Sequence, residues 1–287
     1  MSVSLQDFHG VPALLLRAPD GARAIVTLHG GHVVSWRAAG SDQELLYLSP
    51  ASLFADDKAI RGGVPVIFPQ FSDRGPLVRH GFARTSRWHA RSGSAGTDDG
   101  QTQLVLRLTD DAASRSLWPH TFALDLTLRV SGNTLDIALT CTNTGASDWA
   151  FTAALHSYLA VHDVAQVRLL GLSLCRYEDH VDGGYQLQDA QPVRFAGEID
   201  RVYADVPRAL QLQAPGPAGL RRFDIAQRGF TDVVVWNPGA ARCAALVDMP
   251  ADGYRQMLCV ESASVTHPVV LAGGQSWTGG QTLVVSP

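Results

Sequence analysis

The sequence predicts an all-β protein, a large antiparallel β-sandwich, and three observations support that fold class. Apolar residues recur at every second position in several stretches, which is the repeat of a strand with one buried face. Clusters of Gly, Pro, Asn and Asp separate these stretches at short intervals, as turns separate antiparallel strands. Convincing amphipathic helices are scarce and do not alternate with strands, which disfavours a parallel sheet.

The strand predictions follow from this alternation. The clearest pair covers residues 122–130 and 135–141, which flank turn residues centred on Gly132 and predict an antiparallel hairpin. Segment 92–103 is rich in Ser, Gly, Thr and Asp, and we expect a loop between strands there. The remaining predicted strands lie at 24–28, 104–108, 167–174, 210–212, 233–236, 257–260 and 282–285.

Composition limits the class of protein and its partners. The 287 residues are 46% apolar and 17% charged, which fits one folded β domain over residues 1–287. The net charge is −4 and there is no basic run, so we expect neither nucleic acid nor a membrane as partner. The N-terminal residues MSVSLQDFHG lack a signal-peptide pattern, and no apolar run is long enough to span a membrane. We therefore expect a cytoplasmic protein.

Metal and cofactor sites are not expected from the motifs. The four cysteines are far apart and form no CxxC pair, which disfavours structural zinc and a redox dithiol. His29 and His32 have ligand-like spacing, but no third ligand lies near them in the sequence and a glycine pair separates them. We interpret these two histidines as flanking a turn. No phosphate-binding glycine motif, GxSxG or HExxH is present.

Local cationic density is the strongest functional signal. Residues 60–88 hold five arginines and a histidine within a chain that is acidic overall, which favours a small anionic ligand over a polyanion. Arg61 precedes two glycines, and Arg84 closes the run that begins at His80. A guanidinium fork matches phosphate or carboxylate, although each arginine alone could equally be a surface or ion-paired residue.

Three further polar residues stand in apolar surroundings. His156 lies in a strand-like apolar run and is either a satisfied core histidine or a pocket residue. Glu261 stands at the end of a predicted buried strand, where it could pair with an arginine or act as a base. Asp200, beside Arg201, poses the same question.

Taken together, six segments resemble one known family. They are AIRGGVPVIFPQF at 59–71, HGFAR at 80–84, LHSYLAV at 155–161, DRVY at 200–203, VVWNPG at 234–239 and DMPADGYRQMLCVESASV at 248–265. In this order they resemble the aldose 1-epimerase superfamily, and within it the glucose-6-phosphate 1-epimerase (D-hexose-6-phosphate mutarotase) branch. The resemblance implies a galactose mutarotase-like sandwich, with His156 as general acid and Glu261 as general base.

The same resemblance assigns the remaining residues to substrate binding. His80 and Asp200 are expected to hold sugar hydroxyls or the ring oxygen. Arg61 and Arg84 are expected to hold the phosphate, and Gln70 to line the same pocket.

The implied activity is a cofactor-independent interconversion of the α and β anomers of a hexose 6-phosphate, glucose 6-phosphate above all, by acid–base ring opening and reclosure. No metal is required, and the partner is the small sugar phosphate, with the chain a monomer or weak homodimer. Two alternatives remain: an aldose 1-epimerase for unphosphorylated sugars, and a non-catalytic sugar-phosphate binding module. A lyase or hydrolase on a related sandwich is disfavoured, since those enzymes usually need a long groove and export.

Overall fold

The fold is given by a computed structural model that describes residues 2–216 and 219–286. The first strands and helix are β1 Val3–Phe8, β2 Val11–Arg17, β3 Arg23–Thr27, β4 His32–Arg37, β5 Val66–Ile67, β6 His89–Ala90, β7 Gly96–Asp98, β8 Gln101–Thr109, α1 Ala112–Leu117, β9 Phe122–Ser131 and β10 Thr134–Asn143. They are followed by β11 Trp149–Leu155, β12 Tyr158–Ala160, β13 Arg168–Leu170, β14 Arg176–Asp179, β15 Tyr185–Leu187, β16 Ile199–Tyr203, β17 Leu210–Gly216, β18 Gly219–Arg228, β19 Asp232–Asn237, α2 Gly239–Ala244, β20 Met257–Leu271 and β21 Ser276–Ser286. Short 3₁₀ helices lie at Ala83–Thr85, Val164–Gln166 and Gly253–Gln256.

Within these two ranges the strands form three sheets, and the strands in each sheet pair antiparallel. The four-stranded sheet has the order β1-β2-β3-β4. The nine-stranded sheet has the order β13-β17-β18-β21-β10-β9-β8-β6, with β7 paired to β8. The eight-stranded sheet has the order β15-β14-β16-β19-β20-β11-β5, with β12 paired to β20. The predicted all-β fold class is confirmed.

One continuous apolar core joins the three sheets in the described part of the chain. Leu126 of β9, Val235 of β19, Leu258 of β20 and Trp36 of β4 are all fully buried in it. Each side chain of this size contributes about 1.5–3 kcal/mol when it leaves water. The alternating pattern of β9, buried at every second residue, is the direct cause of its position over this core.

Most strand predictions match the structure, and two do not. The hairpin around Gly132 is confirmed, with β9 and β10 in register along their whole length. The loop predicted at 92–103 is wrong in part, because β7 pairs with the start of β8. The strand predicted at 167–174 extends only over β13, since Gly171 and Leu174 have φ of 102° and 63°, which an extended chain does not adopt.

Helices are minor elements, as the sequence predicted. Both α1 and α2 have six residues. Across residues 2–216 and 219–286, no helix is long and apolar enough to cross a membrane.

Candidate active site

A cavity of about 300 Å³ opens on the eight-stranded sheet, and it gathers most of the polar residues that the sequence singled out. Of the seven predicted site residues, six line it and Gln70 does not. The polar and aromatic side chains of its wall are Arg61, Phe71, Ser72, Arg79, His80, Arg84, His156, Tyr158, His180, Asp200, Trp236, Arg242 and Glu261.

His156 lies in a break between two strands. The sequence pattern predicted one continuous strand here, but β11 ends at Leu155 and β12 begins at Tyr158. The backbone N–H of His156 donates to the carbonyl of Pro65 at 3.0 Å, and its ring stacks on Tyr158 with centroids 4.8 Å apart. The break turns the imidazole out of the sheet and into the cavity wall.

Glu261 lies inside a strand and not at its end. The sequence predicted that the strand would stop near residue 260, whereas β20 continues to Leu271. Glu261 pairs with Val234 of β19, and its side chain is 1% exposed. Its Oε1 lies 3.2 Å from Nδ1 of His156, so the structure brings the predicted acid and base into contact.

Burial sets the protonation of this pair. Loss of water raises the pKa of Glu261 well above its ordinary 4.5, and the carboxyl of Asp200 acts in the same direction. Burial lowers the pKa of His156 well below 6.5, reinforced by His80 and by the charges of Arg61 and Arg84. The free protein therefore favours a neutral imidazole beside a protonated carboxyl.

A glutamine from the nine-stranded sheet holds both segments of this pair. Gln281 of β21 is fully buried and accepts a hydrogen bond from the hydroxyl of Ser157, next to His156, at 2.5 Å. Its amide nitrogen donates to the Val260 carbonyl and to the Ser262 hydroxyl, both at 3.0 Å, on either side of Glu261. No local pattern predicts this contact, because Gln281 lies 124 positions from Ser157 and 21 and 19 positions from Val260 and Ser262.

His80 presents a single hydrogen-bond donor to the cavity. Its Nδ1 accepts from the backbone N–H of Ser72 at 3.2 Å, so the neutral ring carries its proton on Nε2. Burial, together with the charges of Arg84, Arg79 and Arg61, lowers the pKa of His80 to about 3. The ring lies 5.7 Å from that of His156.

The backbone at His80 is left-handed, and the next residue must be glycine. His80 and Gly81 both have φ of 67°. A Cβ at Gly81 would lie 2.2 Å from the carbonyl oxygen of Phe68, closer than any real contact. The HGFAR segment therefore forms a tight turn packed on the backbone at Phe68.

Asp200 enters the cavity from β16 between a histidine and an arginine. Its carboxylate oxygens lie 3.6 Å from Nδ1 of His180 and 3.9 Å from Nη1 of Arg242. Burial raises the pKa of Asp200, while His180 and Arg242 oppose that rise. The sequence did not single out His180 or Arg242; Arg242 comes from the short helix α2, and only its position in space relates it to the site.

Arg61 is linked to the acid–base pair through Tyr158. Its Nη1 donates to the Tyr158 hydroxyl at 3.1 Å, and its Nε and Nη2 lie 3.1 Å from Asp248. Tyr158 and Asp248 raise the pKa of Arg61. Because Tyr158 also stacks on His156, one chain of contacts runs from this guanidinium to the imidazole.

Arg84 is the guanidinium with the fewest partners. Its Nη2 donates to the carbonyl of Arg79 at 2.8 Å, and its buried Nε has no hydrogen-bond partner among the described residues. Burial lowers the pKa of Arg84 to about 10, with Arg61 and Arg79 acting in the same direction. Arg79 itself pairs with Asp73 at 3.0 Å. Arg84 therefore has donors available for an anion.

Gln70, expected in the pocket, holds a loop beside it instead. Its amide nitrogen donates to the carbonyls of Ser72 and Leu77, and its oxygen accepts from the Leu77 N–H at 2.9 Å. All of its polar atoms serve the loop that carries Ser72 against His80. Gln70 was expected to line the pocket, but it supports the loop beside the cavity and is not part of the cavity wall.

The histidine pair His29 and His32 is used for backbone contacts. His29 Nε2 lies 2.7 Å from the Lys58 carbonyl and His32 Nε2 lies 2.6 Å from that of Gly62.

A larger groove of about 630 Å³ lies over the four-stranded sheet, where Arg37 and Glu44 are paired with each other. Among the described residues, neither place brings an imidazole into contact with a carboxyl as His156 and Glu261 do in the smaller cavity.

Comparison with known proteins places the chain in a family. Residues 12–283 match the family model described as aldose 1-epimerase. The chain belongs to the aldose 1-epimerase family. A Cenchrus ciliaris protein with the provisional name glucose-6-phosphate 1-epimerase is 32% identical over 289 residues, covering 97% of this chain and 86% of its own length.

Solved structures support the same placement. A Salmonella typhimurium protein provisionally described as a mutarotase is 32% identical and has a TM-score of 0.89, covering 99% of this chain and 94% of its own. A galactose mutarotase-like protein from Clostridium acetobutylicum is 15% identical, with a TM-score of 0.79 and coverage of 99% and 98%. The predicted galactose mutarotase-like sandwich is confirmed.

The cavity brings together groups suited to proton transfer and groups suited to holding an anion. His156 and Glu261 place an imidazole and a carboxyl in contact, several arginines line the same wall, and Trp236 adds an aromatic surface. Aromatic walls with a few convergent polar groups are typical of small-ligand pockets. The VVWNPG segment contributed to the resemblance, but Trp236 itself was not predicted to be in the site.

Proposed function

We propose that this aldose 1-epimerase interconverts the α and β anomers of a hexose 6-phosphate, with glucose 6-phosphate as the first candidate. The observation that carries the proposal is the contact of His156 with Glu261 in the same cavity as Arg61 and Arg84. The provisional name of the Cenchrus ciliaris relative, glucose-6-phosphate 1-epimerase, supports the phosphorylated substrate.

Ring opening needs one base and one acid near the anomeric carbon. In the proposed step Glu261 accepts the proton of the anomeric hydroxyl while His156 gives a proton to the ring oxygen. The bond between C1 and the ring oxygen breaks and C1 becomes an aldehyde. After rotation about the C1–C2 bond, the two transfers run in reverse and close the ring on the other face.

The side-by-side placement of acid and base suits this chemistry. The anomeric hydroxyl and the ring oxygen are bonded to the same carbon, so the two protons are transferred at neighbouring atoms. A pair 3.2 Å apart can reach both oxygens from one side of the sugar.

Substrate binding also provides a reason for the pair to ionise. The free protein favours the neutral pair, partly because the charges of Arg61 and Arg84 lower the pKa of His156. A phosphate of about −1.5 to −2 charge offsets those guanidinium charges. The carboxyl proton can then move to the imidazole with no change in the net charge of the pair, which gives the carboxylate base and imidazolium acid that ring opening needs.

The remaining side chains position the sugar. Arg84, with donors free of carboxylate partners in the described residues, is placed to hold the phosphate together with Arg61. His80 offers its Nε2 proton and Asp200 its carboxyl to hydroxyl groups. The free energy of binding the phosphate, which is remote from C1, then orients the reacting end of the sugar.

The test is the rate of anomer exchange, measured by NMR exchange spectroscopy on glucose 6-phosphate, other hexose 6-phosphates and free glucose. We expect the protein to accelerate exchange of a hexose 6-phosphate well above that of the free sugar. Equal acceleration with and without phosphate would favour an epimerase for unphosphorylated sugars. Binding without any acceleration would favour a binding module and would overturn the proposal.

A further inference from the structure

A buried cysteine lies directly behind the acid–base pair. Cys259 and Glu261 are two residues apart on β20, so both side chains point to the same face of the sheet. Cys259 is paired in register with Tyr158, which follows His156 by two residues. One ligand atom from each of His156, Cys259 and Glu261 lies within 4.8 Å of the ligand atoms of the other two.

Two of these three groups have buried atoms without a hydrogen-bond partner in the described part of the chain. They are Nδ1 of His156 and Oε2 of Glu261, in side chains that are 10% and 1% exposed. Buried polar atoms are nearly always satisfied, and an unpartnered one calls for a ligand, an ion or a reaction. Here both atoms belong to the same cluster, and Nδ1 lies 3.2 Å from Oε1 of the same carboxyl.

The donor set matches one class of cation. An imidazole nitrogen, a carboxylate oxygen and a thiolate sulfur are the ligands of zinc, with bonds of about 2.0–2.3 Å. A tetrahedron with such bonds has ligand atoms roughly 3.5 Å apart, so the side chains need to close by about 1 Å. Magnesium and calcium prefer sets made only of oxygen atoms, and the sulfur disfavours them.

We propose that His156, Cys259 and Glu261 form a site for zinc or another thiophilic divalent cation, and that the bound cation blocks the acid–base pair. Three protein ligands leave a fourth coordination position open toward the cavity, where a substrate oxygen or water can bind. The cation acts as an inhibitor and not as a cofactor, because it occupies the two groups that transfer protons. The inhibitory consequence rests on the proposed function, whereas the binding itself does not.

Binding is tested without reference to activity. The purified full-length protein is titrated with Co²⁺ or Cd²⁺, and the thiolate-to-metal charge-transfer absorbance is followed, with Zn²⁺ as competitor. We expect one equivalent of metal per chain to produce the band and Zn²⁺ to abolish it. The band should be lost in Cys259→Ala and retained in Cys243→Ala, a matched control because Cys243 is buried in the same apolar cluster but is not one of the three ligands.

Inhibition is tested on the same variants. Cys259 is fully buried and is not part of the cavity wall, so Cys259→Ala should keep the parent rate of anomer exchange and need at least about tenfold more Zn²⁺ for half inhibition. Cys259→Ser serves in its place if the alanine variant does not fold. A band that persists in the Cys259 variants, or no band in the parent, overturns the site. If zinc inhibits the parent and the Cys259 variants equally, the inhibitory role is overturned. If the parent shows the band but does not accelerate anomer exchange, only the proposed function is overturned.

Discussion

In the cavity wall His156 and Glu261 expose 10% and 1% of their side chains, whereas Arg61, Arg79 and Arg242 expose 25–48%. These three arginines each have a carboxylate partner. Among the described residues, the ion-pair partner of His156 is Glu261. We call this buried pair the dry end of the cavity wall and the more exposed arginines its wet end.

The difference shows how one pocket can both bind an anion and transfer protons. Partial exposure keeps the guanidinium groups of Arg61 and Arg79 charged at little cost, and Arg84, whose pKa burial lowers to about 10, still carries its charge at neutral pH. Exclusion of water lowers the pKa of His156 and raises that of Glu261, so both side chains favour their neutral forms. It also strengthens the electrostatic interactions of any charge that the substrate brings. Four experiments below separate the contributions of the two ends.

The largest effect is expected at the dry end. Glu261→Gln removes the base and keeps the shape, so the rate of anomer exchange should fall by roughly 10²–10⁴-fold while substrate affinity changes little. The measurement is NMR exchange spectroscopy combined with calorimetric binding of glucose 6-phosphate. Glu44→Gln, in the groove over the four-stranded sheet, is the control. Substantial exchange in the purified Gln variant would refute the role of Glu261 as base.

A smaller effect is expected at the wet end. Arg84→Ala and Arg61→Ala each remove a charged hydrogen-bond donor, which is worth about 1.5–3 kcal/mol, so KM for the phosphorylated sugar should rise by roughly 10–100-fold. The rate on free glucose should not fall, because loss of either guanidinium also removes a charge that lowers the pKa of His156. Arg87→Ala is the control, since Arg87 is exposed and lies outside the cavity wall. Equal losses on both sugars would count against a phosphate role.

Loss of the hydrogen bonds that Gln281 makes to the segments of His156 and Glu261 should have a smaller effect on the rate. Gln281→Met removes three hydrogen bonds that hold the segments of His156 and Glu261, and we expect kcat to fall about tenfold with KM nearly unchanged. Gln227→Met is a matched control, because Gln227 lies opposite Gln281 on β18 and its amide has no partner among the described residues. If KM changed and kcat did not, a positioning role for Gln281 would be excluded.

The last effect is on stability and depends on pH. The folded state keeps Glu261 protonated above 4.5, where the unfolded chain releases that proton, so this group lowers stability as pH rises above 4.5. Glu261→Gln lacks the effect and should gain stability over the parent by up to about 1.4 kcal/mol per pH unit above that value.

Chemical unfolding at pH 4, 5.5 and 7 measures this gap. Other buried groups such as His80 titrate alike in both proteins, so the difference between them isolates Glu261. A gap that stayed constant from pH 4 to 7 would mean that the Glu261 carboxyl is ionised in the folded protein. The proposed proton transfer to His156 on substrate binding would then be unnecessary.

The strands could be predicted where the chain carries its own pattern. The hairpin of β9 and β10 is specified by alternation and by the turn at Gly132, which act over a few residues. The length of β20 was missed, because its second half is largely exposed and carries no apolar alternation. The break at His156 was not predicted either, because the residues before and after it are apolar and lie in extended strands.

The site was predicted from segments that resemble a family, and the contacts among them could not be predicted. Asp200, His156 and Glu261 were identified one by one, yet their convergence depends on the register of β12 and β19 against β20 and of β16 against β19. A shift of one residue in that register would turn Glu261 to the opposite face of the sheet. Gln70 was assigned to the pocket, but its amide is bonded to the neighbouring loop.

By itself the sequence determined the all-β class, the main hairpin and the identity of six residues in the cavity wall, because these follow from local alternation and short motifs. Only the tertiary structure decided that His156 touches Glu261, that Cys259 stands behind them and that Gln281 secures both segments. The contacts of His156 with Glu261 and of Gln281 with Ser157 join residues more than a hundred positions apart. Their geometry is set by the packing of whole sheets, which no single segment of the chain specifies.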